Sequence, residues 1–324
     1  KFNKEDVRFS ADTARNSTEV DILVKVKLHQ GDGRTAATSH KRYTIGSVNF
    51  LADVNSADAL VDSLQYNGYN FLYQDHLHFR KRLLISNTMI RPGNLYNDSY
   101  FKRTYTNFTR LPAISFSSIN ITERPGTDTI DCNIIVNHAK PHSFGFDVEA
   151  TNSAGDLGAA ISTSYQNKNL FKGSETFTFK IRGAYEAITG LEGYDGNNYV
   201  ELGAEATLGF PAFLLPYVKR EWGTLHHASS EIALQYNMQN RPEFQRRVLT
   251  AAWRYKWSSK SQHIQHRFDL LEVNYVYMPW ISKTFKEQYL DSLGKTNAIL
   301  KYNYENLLIT KLGYTYSFNS LGAR

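Results

Sequence analysis

The 324-residue chain has a single cysteine, Cys132. That excludes an intrachain disulfide and a thiolate metal cluster. Proline is scarce, with 8 residues against 21 Tyr and 19 Phe. Such a surplus of aromatics favours strands and membrane–water interfaces. No run approaches the ~20 apolar residues of a spanning helix; the best, "FPAFLLPYV" at 210–218, is short and carries two prolines. A helical membrane protein is thereby excluded. A β-barrel is not, because its alternating strands keep average hydropathy low. No Lys/Arg-rich block concentrates the net charge of +6, so it reads as spread surface charge and no nucleic-acid partner is expected. Nucleophile-elbow, P-loop and dinucleotide patterns are absent, so neither an enzyme nor a cofactor is expected. His226-His227 and His263-x-x-His266 lack nearby carboxylate support and read as surface histidines, with no metal expected. The opening Lys1-Phe2-Asn3 has neither Met nor a charged-then-apolar leader, which suggests a mature product or an internal fragment.

Two segments resemble each other. "STEVDILVKVKL" (17–28) puts Val20, Ile22, Val24 and Val26 on one strand face, and "TDTIDCNIIVNHA" (127–139) does so with Ile130, Cys132, Ile134 and Val136. Two copies of one small unit are expected, the first cut off near Lys1. The second copy runs from a strand over 43–50 to a basic amphipathic helix over 78–89 and a turn at "RPGNLYND" (91–98). Asn97 or Asp98 then caps a helix over 99–111, with Phe101, Tyr105 and Phe108 on one face. Strands over 113–123 and 128–139 follow, joined by a "RPGT" turn. The order strand-helix-helix-strand-strand makes a compact α+β domain with helices on one sheet face. Residues 52–77 fall outside this pattern and read as an insertion.

From His142 onward the pattern has period two. In "GSETFTFKIRGAYEA" (173–187), Phe177, Phe179, Ile181 and Tyr185 fall on one side of an extended chain and Lys180, Arg182 and Glu186 on the other. Seven more stretches alternate likewise, at 144–150, 157–165, 199–210, 231–238, 248–257, 267–278 and 311–318; the seventh of the eight changes phase at Leu270–Leu271, as a bulge does. Strands of ~8–12 residues cross a bilayer at a tilt. Their apolar faces end in aromatics, including Tyr165, Tyr185, Tyr199, Trp253, Tyr255, Trp257 and Tyr316, as interfacial girdles do. Sandwich strands are shorter, ~5–6 residues. A membrane β-barrel is expected. Phe177, Phe179, Ile181, Leu202 and Trp253 would face lipid, and Lys180, Arg182, Glu201, Glu205, Arg254, Lys256 and Glu272 would face the lumen. So many charges suit a wide wet lumen better than a closed eight-stranded barrel, whose interior side chains fill.

A small strand-helix-helix-strand-strand unit leading directly into such a region resembles the BamA/TamA superfamily of outer-membrane assembly and translocation proteins, with a TamL-like member one possibility. The small unit looks like their POTRA domain. The residues that carry the resemblance are "RPGNLYNDSYFKRTYTNFTRL" (91–111) and "ISFSSINITERPGTDTIDCNIIVNHAKPHSFGFDVEATNS" (114–153). The resemblance implies a periplasmic α+β fold followed by an antiparallel transmembrane barrel. Residues 1–40 would end a preceding POTRA domain, 41–140 would be the last POTRA, and 141–324 would be the amino-terminal half of the barrel. The family barrel has sixteen strands and an Arg-Gly-aromatic loop motif; this chain shows about eight strands, and Arg182-Gly183-Ala184 lacks the aromatic. It is therefore read as a central fragment.

The resemblance implies an insertase or translocase in the bacterial outer membrane, with POTRA domains in the periplasm. The first barrel strand, Phe144, Gly145, Phe146, Asp147, Val148, Glu149 and Ala150, would be the lateral gate, kept short and loose by small residues such as Ala150, Ser153, Ala154 and Gly155. Ile114, Phe116, Ser118, Asn120 and Thr122 would form a client-binding POTRA edge, by strand addition. Implied partners are nascent outer-membrane or exported proteins, outer-membrane lipid, and accessory periplasmic or lipoprotein subunits. The alternatives are a passive or substrate-selective pore or transporter with a periplasmic domain, and an export pore.

Overall fold

The computed structural model describes residues 7–12, 21–26, 42–54, 62–153, 156–188, 198–218, 220–259, 263–291 and 302–319. Two compact units divide the chain. One takes Lys1–Asp75, Thr88–Thr106 and Ser118–Ile135; the other takes His76–Asn87, Asn107–Ser117 and Val136–Arg324. Among the described residues no helix is long and apolar enough to cross a membrane.

β1 (Val7–Asp12) and β2 (Asp21–Val26) form an antiparallel hairpin in register from Val7↔Val26 to Asp12↔Asp21. The strand expected over 17–28 is therefore present over its middle; Val20 and residues 27–28 lie outside the described residues. Next come β3 (Thr44–Ala52), β4 (Asp62–Tyr66), β5 (Tyr69–Tyr73), α1 (Lys81–Asn87), α2 (Asp98–Thr109), β6 (Ile114–Glu123) and β7 (Thr129–His138). They build a five-stranded sheet of order β4-β5-β3-β7-β6. This corrects the expected strand-helix-helix-strand-strand order. The segment 52–77 adds a hairpin, and β5 lies parallel to β3. Its turn is Asn67-Gly68, with φ of 52° and 78°, the dipeptide that a tight hairpin turn requires.

Ile45, Val48, Phe50, Phe71, Ile90, Phe101, Ile130, Cys132 and Ile134 are buried in the first unit. Phe50 stacks on Phe71 with ring centroids 5.0 Å apart. Asn97 caps α2, its Oδ1 accepting from Ser99 N at 3.0 Å. The buried face of α2 uses Thr104 where the sequence suggested Tyr105, which is exposed. The Thr104 hydroxyl satisfies itself by donating to Tyr100 O at 2.7 Å and accepting from Met89 N at 2.9 Å; a tyrosine there would bury a larger polar ring. α1 is shorter than the expected helix over 78–89.

β3 changes phase: Ile45 is buried, and so are Val48, Phe50 and Ala52. The slip falls at Gly46-Ser47. Asp131 repairs it, its Oδ1 accepting from Ser47 N at 2.8 Å and from Ser47 Oγ at 2.7 Å. Arg124 holds the same carboxylate with two bonds of 2.7 and 2.8 Å. A Cβ on Gly46 would stand 2.7 Å from Thr129 Cγ2 and 2.9 Å from Asp131 Oδ1, so this position admits only glycine without movement.

The remaining elements are β8 (His142–Ser153), β9 (Asp156–Asn167), β10 (Thr176–Ala187), β11 (Tyr199–Phe210), α3 (Arg220–Leu225), β12 (Ser229–Asn240), β13 (Phe244–Ser258), β14 (Ile264–Ile281), α4 (Lys283–Phe285), a π-helical turn Lys286–Asp291 and β15 (Leu307–Phe318). β8 to β15 form one eight-stranded sheet in sequence order, antiparallel at every pairing. All eight alternating stretches are strands. Trp253 pairs with Leu271 and Arg254 with Asp269, so Leu270 is the extra residue behind the phase change. β10 starts at Thr176, not at Gly173; Gly173, Ser174 and Glu175 belong to the preceding turn.

The sheet is open. Among the described residues β8 pairs only with β9 and β15 only with β14. The ladder line Phe144–Tyr165–Phe179–Ala206–Leu234–Ala251–Val273–Thr310 begins two residues inside β8 and ends eight residues inside β15. At ~3.3 Å per residue and ~4.8 Å between strands, this stagger inclines the strands by about 30° to the normal of the line that joins the strand ends.

Candidate functional site

Register sorts the sheet into two faces, because directly paired residues share a side. Phe177↔Leu208, Phe179↔Ala206 and Ile181↔Ala204 lie on one; Lys180↔Glu205 and Arg182↔Gly203 lie on the other. Carried across the pairings, Lys180, Arg182, Glu201, Glu205, Arg254, Lys256 and Glu272 all fall on one face, and Phe177, Phe179, Ile181, Leu202 and Trp253 all fall on the opposite one. Tyr199 differs from its sequence assignment. It pairs with Glu186, on the charged face, and its hydroxyl donates to Glu201 Oε2 at 2.6 Å.

The apolar face is uncovered over most of its extent. Phe144, Phe146 and Val148 are 80, 69 and 65 % exposed, and Ile161, Ile181, Leu202, Leu234, Leu271, Leu308 and Leu312 are exposed too. Aromatics gather toward both strand ends, with Tyr165, Trp253, Tyr316 and Phe318 at the end where β8 begins and Tyr185, Tyr236, Tyr275 and Tyr277 toward the other. One patch is covered. Tyr255 is buried, with Phe213 of the 211–228 connector 4.8 Å away and Trp222 of α3 against Phe213 at 5.3 Å. That connector is long because it carries this aromatic cap.

The polar face is charge-paired from edge to edge. Arg182 on β10 reaches Glu149 on β8 at 3.2 Å and Glu201 on β11 at 3.4 Å. Glu201 Oε1 also accepts from Asn237 on β12 at 2.6 Å. Farther along, Arg254 on β13 bridges Glu231 on β12 (2.9 Å) and Asp269 on β14 (3.5 Å). Lys256 meets Glu231, and Lys311 on β15 meets Glu272 on β14, each at 2.9 Å. Arg182 and Arg254 thus each sit between carboxylates of two other strands, and Lys256 and Lys311 each meet one, which offsets charge on a face rich in both signs without apolar cover.

The two candidate docking strands are both sheet edges. β8 contains Phe144, Gly145, Phe146, Asp147, Val148, Glu149 and Ala150 and is an edge of the eight-stranded sheet; β6 contains Ile114, Phe116, Ser118, Asn120 and Thr122 and is an edge of the five-stranded sheet. β8 corrects one expectation. It is not short: it pairs with β9 at every position from His142↔Asn167 to Ser153↔Asp156. Small residues do not shorten a strand whose backbone ladder is complete; Ala154 and Gly155 lie outside the described residues. On β6, Phe116 and Ile121 are exposed while Ile114 is buried.

Sequence reasoning missed the turn between β9 and β10. Glu175 is buried, and its Oε2 accepts from Gly173 N at 2.8 Å and Phe171 N at 3.2 Å. Lys172 and Ser174 both take φ of 61°, in the left-handed region that is uncommon for such residues. The turn binds segments 76–87 and 107–117 of its own unit. Arg80 N donates to Lys172 O at 2.7 Å, Asn169 Nδ2 to His78 O at 2.9 Å, and Ala113 N to Ser174 Oγ at 3.0 Å. Arg80 adds an ion pair to Glu175 at 3.6 Å. The only signal in the sequence was the Asn169/Gly173/Ser174 run after a strand.

Cys132 is buried, and burial, with the charge of Asp131 behind it, pushes its thiol up to about 12. It is a packing residue and not a nucleophile.

No protein-family model matches the chain, and no curated protein does. Among solved structures it is similar to BamA from Haemophilus ducreyi lacking POTRA domains 1–3, at 11 % identity and a TM-score of 0.47, over 96 % of this chain and 48 % of that one. It is also similar to CdiB from Acinetobacter baumannii, at 8 % identity and TM-score 0.32, over 78 % of this chain and 72 % of the other. A third is CdiB from Escherichia coli, at 8 % identity and TM-score 0.27, over 78 % of this chain and 62 % of that one. The chain thus spans about half the length of the BamA structure. Likeness at this level carries no functional inference.

Proposed function

We propose that the chain is part of a bacterial outer-membrane β-barrel protein that inserts barrel proteins into that membrane or moves proteins across it. The observation that carries the reading is the open eight-stranded sheet, apolar and exposed on one face and charge-paired on the other. An exposed apolar face of this extent suits lipid. Backbone groups in lipid must be paired, so edges β8 and β15 require further strands, from the same protein or from another. An edge strand that finds its partner transiently is a template for an incoming strand, which backbone hydrogen bonds hold without regard to sequence.

In this reading residues 141–324 form part of a wall whose lumen is wide enough to hydrate Lys180, Lys256 and Lys311. Residues 41–140 form a POTRA-type domain in the periplasm, and residues 1–40 belong to a preceding one. β8 is the lateral gate and β6 a second docking edge. Partners are nascent outer-membrane or exported proteins, membrane lipid and accessory periplasmic or lipoprotein subunits. No enzymatic step is required, since strand addition and burial in lipid supply the driving force.

The test is to reconstitute the full-length protein in lipid vesicles and follow the folding of an unrelated barrel client. Faster assembly than in bare lipid is expected. If clients assemble no faster while small solutes leak, the protein is a pore and the insertase reading fails.

A further inference from the structure

Strand β8 is tied to its sheet in two ways: by its backbone ladder to β9, and by one side chain from farther away. Glu149 pairs with Ala160 on β9, and Ala160 with Ala184 on β10. Asp147 pairs with Ser162, and Ser162 with Arg182. Arg182 and Glu149 are thus diagonal neighbours two strands apart, across about 9.6 Å of sheet. Their contact at 3.2 Å crosses β9 where that strand presents only Ala160 and Ser162. Both are buried, and both are small enough for a guanidinium to pass over them. At its other end Arg182 meets Glu201 at 3.4 Å. Glu201 is itself fixed by the Tyr199 hydroxyl and by Asn237 Nδ2, each at 2.6 Å. The chain Glu149–Arg182–Glu201–Asn237 therefore runs from edge strand β8 to β12.

We propose that Arg182 is a tether for the β8 edge: a positioning residue whose grip on Glu149 holds β8 against β9, so that the outer edge of β8 stays in place to accept a strand. The proposal rests on the reading of β8 as a gate. A planar guanidinium can hold carboxylates on two sides at once, whereas an ammonium is a single point charge. Glu149 is the movable end, since its side chain is more exposed than that of Glu201, at 56 against 18 %. Asp147, on the same face of β8, bonds Ser162 on the adjacent strand at 3.2 Å and adds no reach beyond β9. Screening by salt would loosen the tether while leaving the backbone ladder intact.

The experiment is hydrogen exchange on the full chain in lipid vesicles, comparing wild type with Glu149→Gln, Arg182→Ala and Arg182→Lys. In Glu149→Gln and Arg182→Ala, amides shared by β8 and β9 should exchange about three- to five-fold faster, the size expected for losing partly exposed ion pairs. Amides between β12 and β13 should not change. Arg182→Lys should fall between wild type and Arg182→Ala. Should Arg182→Ala fail to fold, Glu149→Gln decides the matter, because it leaves the Arg182–Glu201 pair in place. Unchanged β8 exchange in Glu149→Gln, or equal acceleration across all eight strands, overturns the proposal. Client folding is read in the same vesicles. Faster β8 exchange with no client assembled by any variant or by wild type leaves the tether standing and removes the insertase reading.

Discussion

β7 and β10 alternate alike in sequence and oppositely in burial. In β7, Ile130, Cys132, Ile134 and Val136 are buried and the residues between them are not. In β10, Phe179 and Ile181 stand exposed while Arg182 on the other face is held by two carboxylates. The five-stranded sheet thus hides most of its apolar side chains, with Phe116 and Ile121 on edge strand β6 exposed; on its half-exposed face, asparagines 70, 49 and 133 form a ladder with bonds of 2.8 Å. The eight-stranded sheet is inverted, with apolar residues exposed and charges gathered where they pair. The lesson is that period two tells only that a sheet has two unlike faces. Which face is solvated follows from the medium, and in the proposed reading lipid replaces water on the apolar face of the second sheet.

The largest effect that would test this contrast is expected in the first sheet. Phe50→Ala removes a fully buried ring that stacks on Phe71, and should cost about 3–5 kcal/mol, read by denaturant unfolding. The second sheet is tested by Ile181→Arg, which places a charge on the apolar face at a residue 45 % exposed. In vesicles it should cost about 2–4 kcal/mol near the bilayer midplane. A surface position in water would lose less than about 0.5 kcal/mol. A neutral Ile181→Arg in lipid would break the comparison, since it would mean that the exposed face meets water.

How far the sequence foretold this depends on the range of each interaction. The eight strands were legible because alternation is written residue by residue, and even the extra Leu270 showed as a phase slip. The cap was legible to within one residue, as Asn97 or Asp98, because the partner of Asn97, Ser99 N, lies only two residues away. The β4–β5 hairpin was missed, and 52–77 read only as an insertion, although Asn67-Gly68 advertised it, because the five-residue strand Tyr69–Tyr73 offers too few alternations to stand out as a strand. Tyr199 was assigned to the wrong face because it stands at the first position of β11, where a single residue decides parity. Glu149–Arg182 was beyond reach in principle. A spacing of 33 positions says nothing until the register of two pairings is known. The same holds for Glu175, whose role depends on which segments its turn meets.

A smaller effect is expected at Asp131, where the contrast turns on electrostatics. The Arg124 bond, aided by Ser47, pulls this carboxyl from its ordinary value down to about 2. A depressed carboxyl contributes stability that is full above the unfolded value near 4 and is lost as pH falls from there toward about 2. Wild type should therefore lose stability through that window, and Asp131→Ala should be flatter across it. At neutral pH the substitution leaves Ser47 N and Arg124 without their acceptor and should cost about 1–3 kcal/mol. An unchanged acid limb in thermal unfolding scans would mean that the phase slip at Gly46-Ser47 does not need its carboxylate.

The smallest effect is the most informative about the second sheet. Lys311 meets Glu272 at 2.9 Å with its side chain 60 % exposed, on the polar face of edge strand β15. If that face lines a wide, hydrated lumen, the pair is a surface ion pair, and Lys311→Gln should cost no more than about 1 kcal/mol, falling further as salt is raised. If the same face were closed into a narrow barrel filled by side chains, removing the lysine would strand a buried carboxylate and cost about 3–5 kcal/mol, with little response to salt. Urea unfolding of Lys311→Gln in vesicles at two ionic strengths separates the cases. A small, salt-sensitive loss means that water reaches this face, as the reading with a wide, hydrated lumen requires.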